Sequence, residues 1–122
     1  MAYFGGRSER GLATCDERIV KVLREAIKHY DFSVICGHRD KETQNKAFRE
    51  GASKLEFPRS KHNSLPSQAA DVVPYPVDWN NLDRFNELNK VIKEACVTVG
   101  EEELFNGYDL WDWDYPHWQI GK

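Results

Sequence analysis

The segment Ala69-Ala70-Asp71-Val72-Val73 places one carboxylate in the middle of an apolar run. The run is short and is closed by Pro74-Tyr75-Pro76, so it predicts a core strand. An ionised carboxylate inside such a strand needs a partner to be tolerated. A metal ion is one such partner, and a buried arginine is the other, so this segment is the starting point for both the fold and the site.

Hydrophobic periodicity on either side of this strand predicts the remaining elements. Apolar residues recur at helical spacing from Asp16 to His29 and again from Asn81 to Val99, which predicts two amphipathic helices. In chain order the predicted elements are helix 16–29, strand 32–36, helix 41–50, a long irregular loop 52–67, strand 69–73, helix 81–99 and a final strand 118–120. Helices and strands in this order indicate an α+β domain with a small sheet.

The composition fits one compact domain. The chain has 122 residues and a net charge of −3, so we expect a single domain over residues 1–122, a monomer, and no general attraction to nucleic acid or an anionic membrane. The N-terminus lacks the apolar stretch of a signal peptide, and no segment is long enough to span a bilayer. We therefore expect a protein made and kept in the cytoplasm until something releases it. The three cysteines, Cys15, Cys36 and Cys96, have no close spacing, so buried free thiols are expected rather than a thiolate zinc site.

Two histidines complete a candidate zinc site around Asp71. His62 follows Ser60-Lys61 in the long loop, and His117 lies near the C-terminus. Two imidazoles and one carboxylate form a three-ligand set that leaves the fourth zinc position open for water. The alternative for His62 taken alone is a solvated loop histidine.

Asp114 and Arg39 are the candidate catalytic groups. Asp114 is placed to take a proton from water, although it also belongs to an acidic stretch that would be solvated in a simpler reading. Pro116 cannot continue a helix interior, so a turn through Tyr115-Pro116 would have to bring Asp114 and His117 together. Arg39 follows the predicted strand 32–36 and offers a positive group to an oxyanion. Its alternative is a surface arginine paired with Glu42 or Asp40.

Three ordered motifs make the chain resemble a known family. They are Gly37-His38-Arg39 with Gln44, then Ser60-Lys61-His62 followed by Ala69-Ala70-Asp71-Val72, then Asp114-Tyr115-Pro116-His117-Trp118. In their order and spacing, from about Asp31 to Ile120, they resemble the zinc peptidases of the D-alanyl-D-alanine carboxypeptidase type. The resemblance is greatest to the small phage L-alanyl-D-glutamate endopeptidases.

The resemblance implies a fold and a set of residue roles. The fold would be a small antiparallel sheet flanked by helices, with zinc at the sheet face, as in hedgehog and D-Ala-D-Ala peptidase domains. Zinc would be bound by His62, Asp71 and His117, and no separate wall-binding module would be present. Asp114 would be the catalytic base, Arg39 would stabilise the substrate or transition state, and Ser60 and Gln44 would support the site. For Gln44 the alternative is a polar residue on a helix surface.

The implied activity is hydrolysis within the stem peptide of bacterial peptidoglycan. The expected bond is L-alanyl-D-glutamate, cut by a phage endolysin that stays in the host cytoplasm until it is released to the wall. A D-Ala-D-Ala carboxypeptidase or dipeptidase, and a zinc-containing binding protein without turnover, are the open alternatives. The nearby aromatic residues either line a substrate groove or complete the core; they are Tyr75, Trp111, Trp113, Tyr115 and Trp118.

Overall fold

The computed structural model describes residues 2–122, and these residues form an α+β fold with a four-stranded sheet. The helices are α1 (Gly6–Leu12), α2 (Glu17–Ala26), α3 (Lys41–Arg49), α4 (Leu82–Val99) and α5 (Gly107–Trp111), with a short 3-10 helix at Lys61–Asn63. The strands are β1 (Phe32–Cys36), β2 (Ala69–Pro74), β3 (Leu104–Asn106) and β4 (Asp114–Ile120). This confirms the predicted fold class.

The sheet has the order β1-β2-β4-β3, and every neighbouring pair is antiparallel. In the β2–β4 pair, Ala70 lies opposite Trp118 and Asp71 lies opposite His117. Because successive side chains of a strand point to opposite faces, Ala70 and Trp118 share one face and Asp71 and His117 share the other. The first pair is fully buried in the core, so the second pair belongs to the opposite face.

The core lies between the sheet and the two amphipathic helices. Helices α2 and α4 pack against each other, and α1 packs on β1. Each amphipathic helix begins with a side-chain cap, since the carboxylate of Asp16 accepts from Arg18 N and the amide oxygen of Asn81 accepts from Arg84 N. The largest core side chains are Leu12, Ile19, Leu23, Phe32, Leu88, Ile92 and Trp118. Within residues 2–122, no helix combines the length and apolar character that crossing a bilayer would require.

The sequence patterns found most elements but missed two helices, one strand and the short 3-10 helix at Lys61–Asn63. Helix α2 ends at Ala26 rather than His29, and the strand predicted at residues 118–120 begins earlier, at Asp114. The elements α1, β3 and α5 were not predicted. The turn expected through Tyr115-Pro116 is wrong, because these residues lie within β4.

Two irregularities interrupt the strand pairing. In β1, Val34 pairs with Val72 and Cys36 pairs with Asp71, so Ile35 is an extra residue. In β4, Trp118 pairs with Asn106, but the next residue of the partner, Gly107, pairs with Asp114. The residues between are therefore unpaired with β3, and we call Tyr115–His117 the β4 excursion. Such bulges re-aim side chains next to functional sites.

Candidate metal and catalytic site

A cavity of about 520 Å³ opens on the face of the sheet that carries Asp71 and His117. The site residues that line it come from β2, β4, the long loop and the segment after β1: Arg39, Ser60, His62, Asp71, Asp114 and His117. The structure thus brings together six of the seven residues singled out from the sequence. Gln44 is fully buried and does not line the cavity.

His62 is buried, with 2% of its surface exposed, so the solvated alternative is wrong. Its Nδ1 lies 2.7 Å from the Gly37 carbonyl oxygen, which can only accept, so Nδ1 carries the proton. The hydroxyl of Ser60 accepts from the backbone N–H of His62 at 3.2 Å. Among residues 2–122, no group forms a hydrogen bond to His62 Nε2, and this buried nitrogen faces Asp71 Oδ1 at 3.3 Å.

His117 is oriented by Gln119 in an analogous way. The side-chain Nε2 of Gln119 donates to the Gly121 carbonyl at 3.0 Å, which turns its Oε1 toward His117 Nε2 at 2.9 Å. An amide oxygen only accepts, so Nε2 of His117 carries the proton. The unprotonated Nδ1 then faces Asp71 Oδ1 at 3.2 Å. Partners that fix the tautomer of a ligating histidine are characteristic of metal sites.

Three electron-pair donors therefore lie together, since His62 Nε2 and His117 Nδ1 both face Asp71 Oδ1. Such an arrangement requires positive charge between its members, supplied by a metal ion or by added protons. Burial opposes charge on His62, yet the Asp71 carboxylate raises the pKa of the imidazole to about 10. Burial would raise the pKa of Asp71, but the two imidazoles hold it well below its usual range. The residues fit a divalent metal ion, and the unpartnered Nε2 is the clearest sign.

Cys36 is a second candidate for the third ligand. Cys36, His62 and Asp71 each bring a ligand atom to within 4.8 Å of the others. However, the thiol lies 3.7 Å from His62 Nδ1, the nitrogen that already donates to Gly37. The free Nε2 faces Asp71, so geometry favours His117 over Cys36.

Arg39 is tied into the site rather than to the acidic residues beside it in sequence. Its Nη1 donates to Gln44 Oε1 at 2.9 Å, and its Nη2 lies 3.4 Å from Asp71 Oδ2. The alternative pairing with Asp40 or Glu42 is wrong, and the buried arginine considered as a partner for Asp71 is present. Gln44 is fully buried and not on a helix surface. Its Nε2 donates to Ser53 Oγ and to the Leu55 carbonyl, so Gln44 connects Arg39 to the cavity wall.

Asp114 reaches the same cavity as His117 because of the β4 excursion. In a regular strand, residues three apart point to opposite faces. The excursion cancels this alternation, and Asn106 holds it by donating from Nδ2 to the Tyr115 carbonyl at 3.0 Å and to the His117 carbonyl at 3.1 Å. A second buried amide, Asn89, donates to Asn106 Oδ1 at 3.2 Å. Burial raises the pKa of Asp114, with Asp71 adding to the effect, so Asp114 is not an ordinary solvated carboxylate.

Gly107 allows the close approach on which this arrangement depends. A Cβ atom there would lie 2.5 Å from the Asp114 carbonyl oxygen and 3.1 Å from His117 Cβ. Only a glycine fits without moving the backbone that carries both residues. Neither Asn106 nor Gly107 was singled out from the sequence, and the Asn-Gly pair ahead of the acidic stretch was the only local signal.

The aromatic residues divide between the two roles considered. Trp118 is fully buried, whereas Trp111 and Trp113 are each 45% exposed and line the cavity. The Trp111 ring centroid lies 5.5 Å from that of His117. Tyr75 is exposed but lies outside the cavity lining.

Comparison with known proteins identifies the family of the chain. The family model for phage L-alanyl-D-glutamate peptidase matches residues 1–115. The L-alanyl-D-glutamate peptidase of Escherichia phage T5 is 32% identical over 116 residues, which cover 91% of this chain and 81% of that protein. The crystal structure of the Serratia marcescens L-Ala D-Glu endopeptidase ChiX superposes with a TM-score of 0.81 at 29% identity, covering 97% of this chain and 90% of that one. The chain therefore belongs to the phage L-alanyl-D-glutamate peptidase family.

Proposed function

We propose that this protein is a zinc-dependent peptidase that hydrolyses the L-alanyl-D-glutamate bond in the stem peptide of bacterial peptidoglycan. The observation that carries the proposal is the convergence of His62 Nε2, Asp71 Oδ1 and His117 Nδ1 on one cavity that also contains Asp114 and Arg39. Family membership supplies the substrate class.

His62, Asp71 and His117 would hold the metal, and the nature of these ligands suits zinc. A zinc ion bound there lowers the pKa of water and polarises a carbonyl group. Gly37 and Gln119 keep the two imidazoles in the tautomers that ligation requires. Arg39 holds the second oxygen of Asp71, which leaves Oδ1 directed at the two histidines.

Asp114 is the proton carrier in this proposal. Hydrolysis of an amide adds water oxygen to the carbonyl carbon, breaks the carbon–nitrogen bond and moves one proton to the leaving nitrogen. The Asp114 carboxylate accepts that proton from water and passes it to the amine of D-glutamate. Burial raises the pKa of Asp114, which makes its carboxylate a stronger base toward the proton of water.

Arg39 supplies the positive charge that stabilises the carbonyl oxygen during the reaction. The carbonyl oxygen gains negative charge as water adds, and the guanidinium is fixed at the cavity wall by Gln44 before substrate arrives. A donor that is already oriented stabilises such charge without a further cost of reorganisation.

We also propose that one copy of the chain is sufficient for activity, since all these residues belong to a single chain. We propose further that the enzyme lyses the host wall after release from the cytoplasm.

The deciding experiment is digestion of purified peptidoglycan by zinc-loaded protein, with the released fragments identified by mass spectrometry. New amino termini on D-glutamate are expected, and the Asp114→Ala protein, loaded with zinc to the same level, should release none. Release of D-alanine alone would reassign the protein as a carboxypeptidase. Undiminished digestion after complete chelation of metal would contradict the role of zinc.

A further inference from the structure

The cavity has a positive wall although the chain is acidic overall. The net charge of the chain is −3, yet besides Arg39 the cavity is lined by four cationic side chains and by two carboxylates, Asp71 and Asp114. We call Lys54, Arg59, Lys61 and Lys122 the cationic wall. Arg39 is already paired with Asp71, so the charge of the cationic wall exceeds the remaining negative charge of the cavity.

The cationic wall has no acidic partner within the described residues. In residues 2–122, no carboxylate lies within 4.0 Å of these four side chains, whereas Lys21, Arg24 and Lys93 elsewhere on the surface each form an ion pair. The cavity lysines contact neutral groups instead. Lys54 Nζ lies 4.7 Å from the Trp113 ring centroid, and Lys61 Nζ donates to the Ile120 carbonyl.

Lys61 is the best-placed member of the wall. It is only partly exposed, it directly precedes His62, and its contact with Ile120 anchors it to the strand that carries His117. An ammonium group held by a carbonyl keeps two further N–H donors and its full charge. Such a group at a cavity wall attracts and orients an anion.

We propose that the cationic wall, with Lys61 as the direct contact, binds the free carboxylate of the glutamate residue beside the scissile bond. The inference rests on the proposed function and extends it to the origin of specificity. A glutamate joined to its neighbours through its amine and one carboxyl group retains the other carboxyl group as an anion. That anion lies a few bonds from the cleaved amide, so a cation beside the metal ligands is within its reach. Lys54, Arg59 and Lys122 add long-range attraction.

The test compares two synthetic peptides that differ only at this group, one with the free carboxylate and one with the carboxamide. We expect the wild-type protein to have a higher kcat/KM for the acid, with a preference that shrinks as salt is added. Lys61→Met should reduce kcat/KM for the acid by about twofold to fivefold and leave the amide unchanged, as for a partly exposed ion pair. Lys61→Arg should restore the preference. Lys90→Met, on the exposed side of α4, is the matched control and should behave as wild type.

The outcomes separate the two proposals. If both peptides are cut equally by wild type and by Lys61→Met at equal zinc content, the cationic wall has no role in recognition and the proposed function stands. If neither peptide is cut, the proposed function fails. Binding of both peptides to zinc-loaded Asp114→Asn protein, measured by calorimetry, then decides the wall separately: tighter binding of the acid supports it, and equal binding overturns it.

Discussion

The side chain of Asn106 donates a hydrogen bond from Nδ2 to the backbone carbonyl of His117 at 3.1 Å. The same nitrogen donates to the Tyr115 carbonyl, so one buried amide satisfies two carbonyls that β3 would otherwise pair. The Asn106 oxygen in turn accepts from Tyr108 N and caps α5. Through this one residue the end of β3, the start of α5 and the β4 excursion are held in a single arrangement. The positions of Asp114 and His117 depend on it.

Replacing Asn106 with alanine should therefore damage both stability and activity. Two buried carbonyls lose their donor, which costs about 1–3 kcal/mol each at most, and the excursion loses its support. We expect a lower free energy of unfolding in urea together with a fall in kcat at saturating zinc. Asn81→Ala is the matched control, because it removes only a helix cap and should cost about 1 kcal/mol with unchanged kcat. Unchanged kcat in Asn106→Ala would show that the Asn106 amide does not position the site residues.

Gly107→Ala tests the close approach to Asp114. The added methyl group meets backbone 2.5 Å away, and overpacking against atoms that cannot rotate aside costs about 1–3 kcal/mol. We expect lower thermal stability and a reduced affinity for zinc, because His117 Cβ is also contacted. Gly5→Ala, where a Cβ meets nothing within 4 Å, should leave both properties as in wild type. Equal zinc affinity in the two variants would show that the segment shifts without disturbing His117.

Two substitutions distinguish the candidate ligand sets. If zinc is held through His117, the His117→Ala protein should lose metal, whereas Cys36→Ser should retain about one zinc ion per chain. Metal content after dialysis against zinc-free buffer, read by mass spectrometry, is independent of activity. The reverse pattern would make Cys36 the ligand and assign His117 another role.

Asp114→Asn tests the proposed role of Asp114 in proton transfer. The amide preserves the size of the side chain but cannot accept a proton, so kcat should fall by about 10²- to 10⁴-fold while KM changes little. Zinc content and the free energy of unfolding should match those of wild type. Loss of metal in this variant would mean that Asp114 serves the ligand set instead.

Stability should depend on pH through Asp16, the cap of α2. A hydrogen bond from the Arg18 side chain lowers the pKa of Asp16 from 3.8 to about 2. A carboxylate with a lowered pKa in the folded state stabilises the protein above its unfolded value and loses that contribution as pH falls through its folded value. Because Arg18 is 40% exposed, solvent limits the gain to about 1 kcal/mol. Asp16→Asn should thus be less stable than wild type at pH 7, and the difference should shrink as the pH falls from about 4 through about 2. Asp31→Asn, at an exposed carboxylate, is the control.

The sequence predicted well what depends on local pattern. Helical periodicity located α4, and the apolar runs located β1 and β2 with their ends nearly correct. The three residues of β3 are too few to show alternation, and the five residues of α5 are too few to show a period. Both elements depend on contacts with β4, which lies further along the chain, and such contacts leave no local pattern.

The candidate site also has features that local sequence pattern predicts and features that depend on distant contacts. The seven candidate residues were singled out by motif order, but the reason that six of them line one cavity was not visible in the sequence. The turn expected at Tyr115-Pro116 was meant to explain how Asp114 and His117, which are three residues apart, could face the same site. In the structure, Tyr115–His117 lie within β4 without pairing to β3, and the side chain of Asn106 in β3 holds them. The position of Cys36 beside His62 likewise results from the extra residue in β1.

Asp71 and His117 are direct partners across two antiparallel strands, and this has a consequence for assembly of the molecule. A slip of one residue in that pairing would turn one ligand to the core face, and no metal could then bridge the strands. Metal affinity therefore depends on the correct alignment of β2 and β4. Zinc bound during folding would stabilise the native pairing relative to shifted ones. A metal ion bound by this pair would therefore favour the native alignment of β2 and β4 while the chain folds.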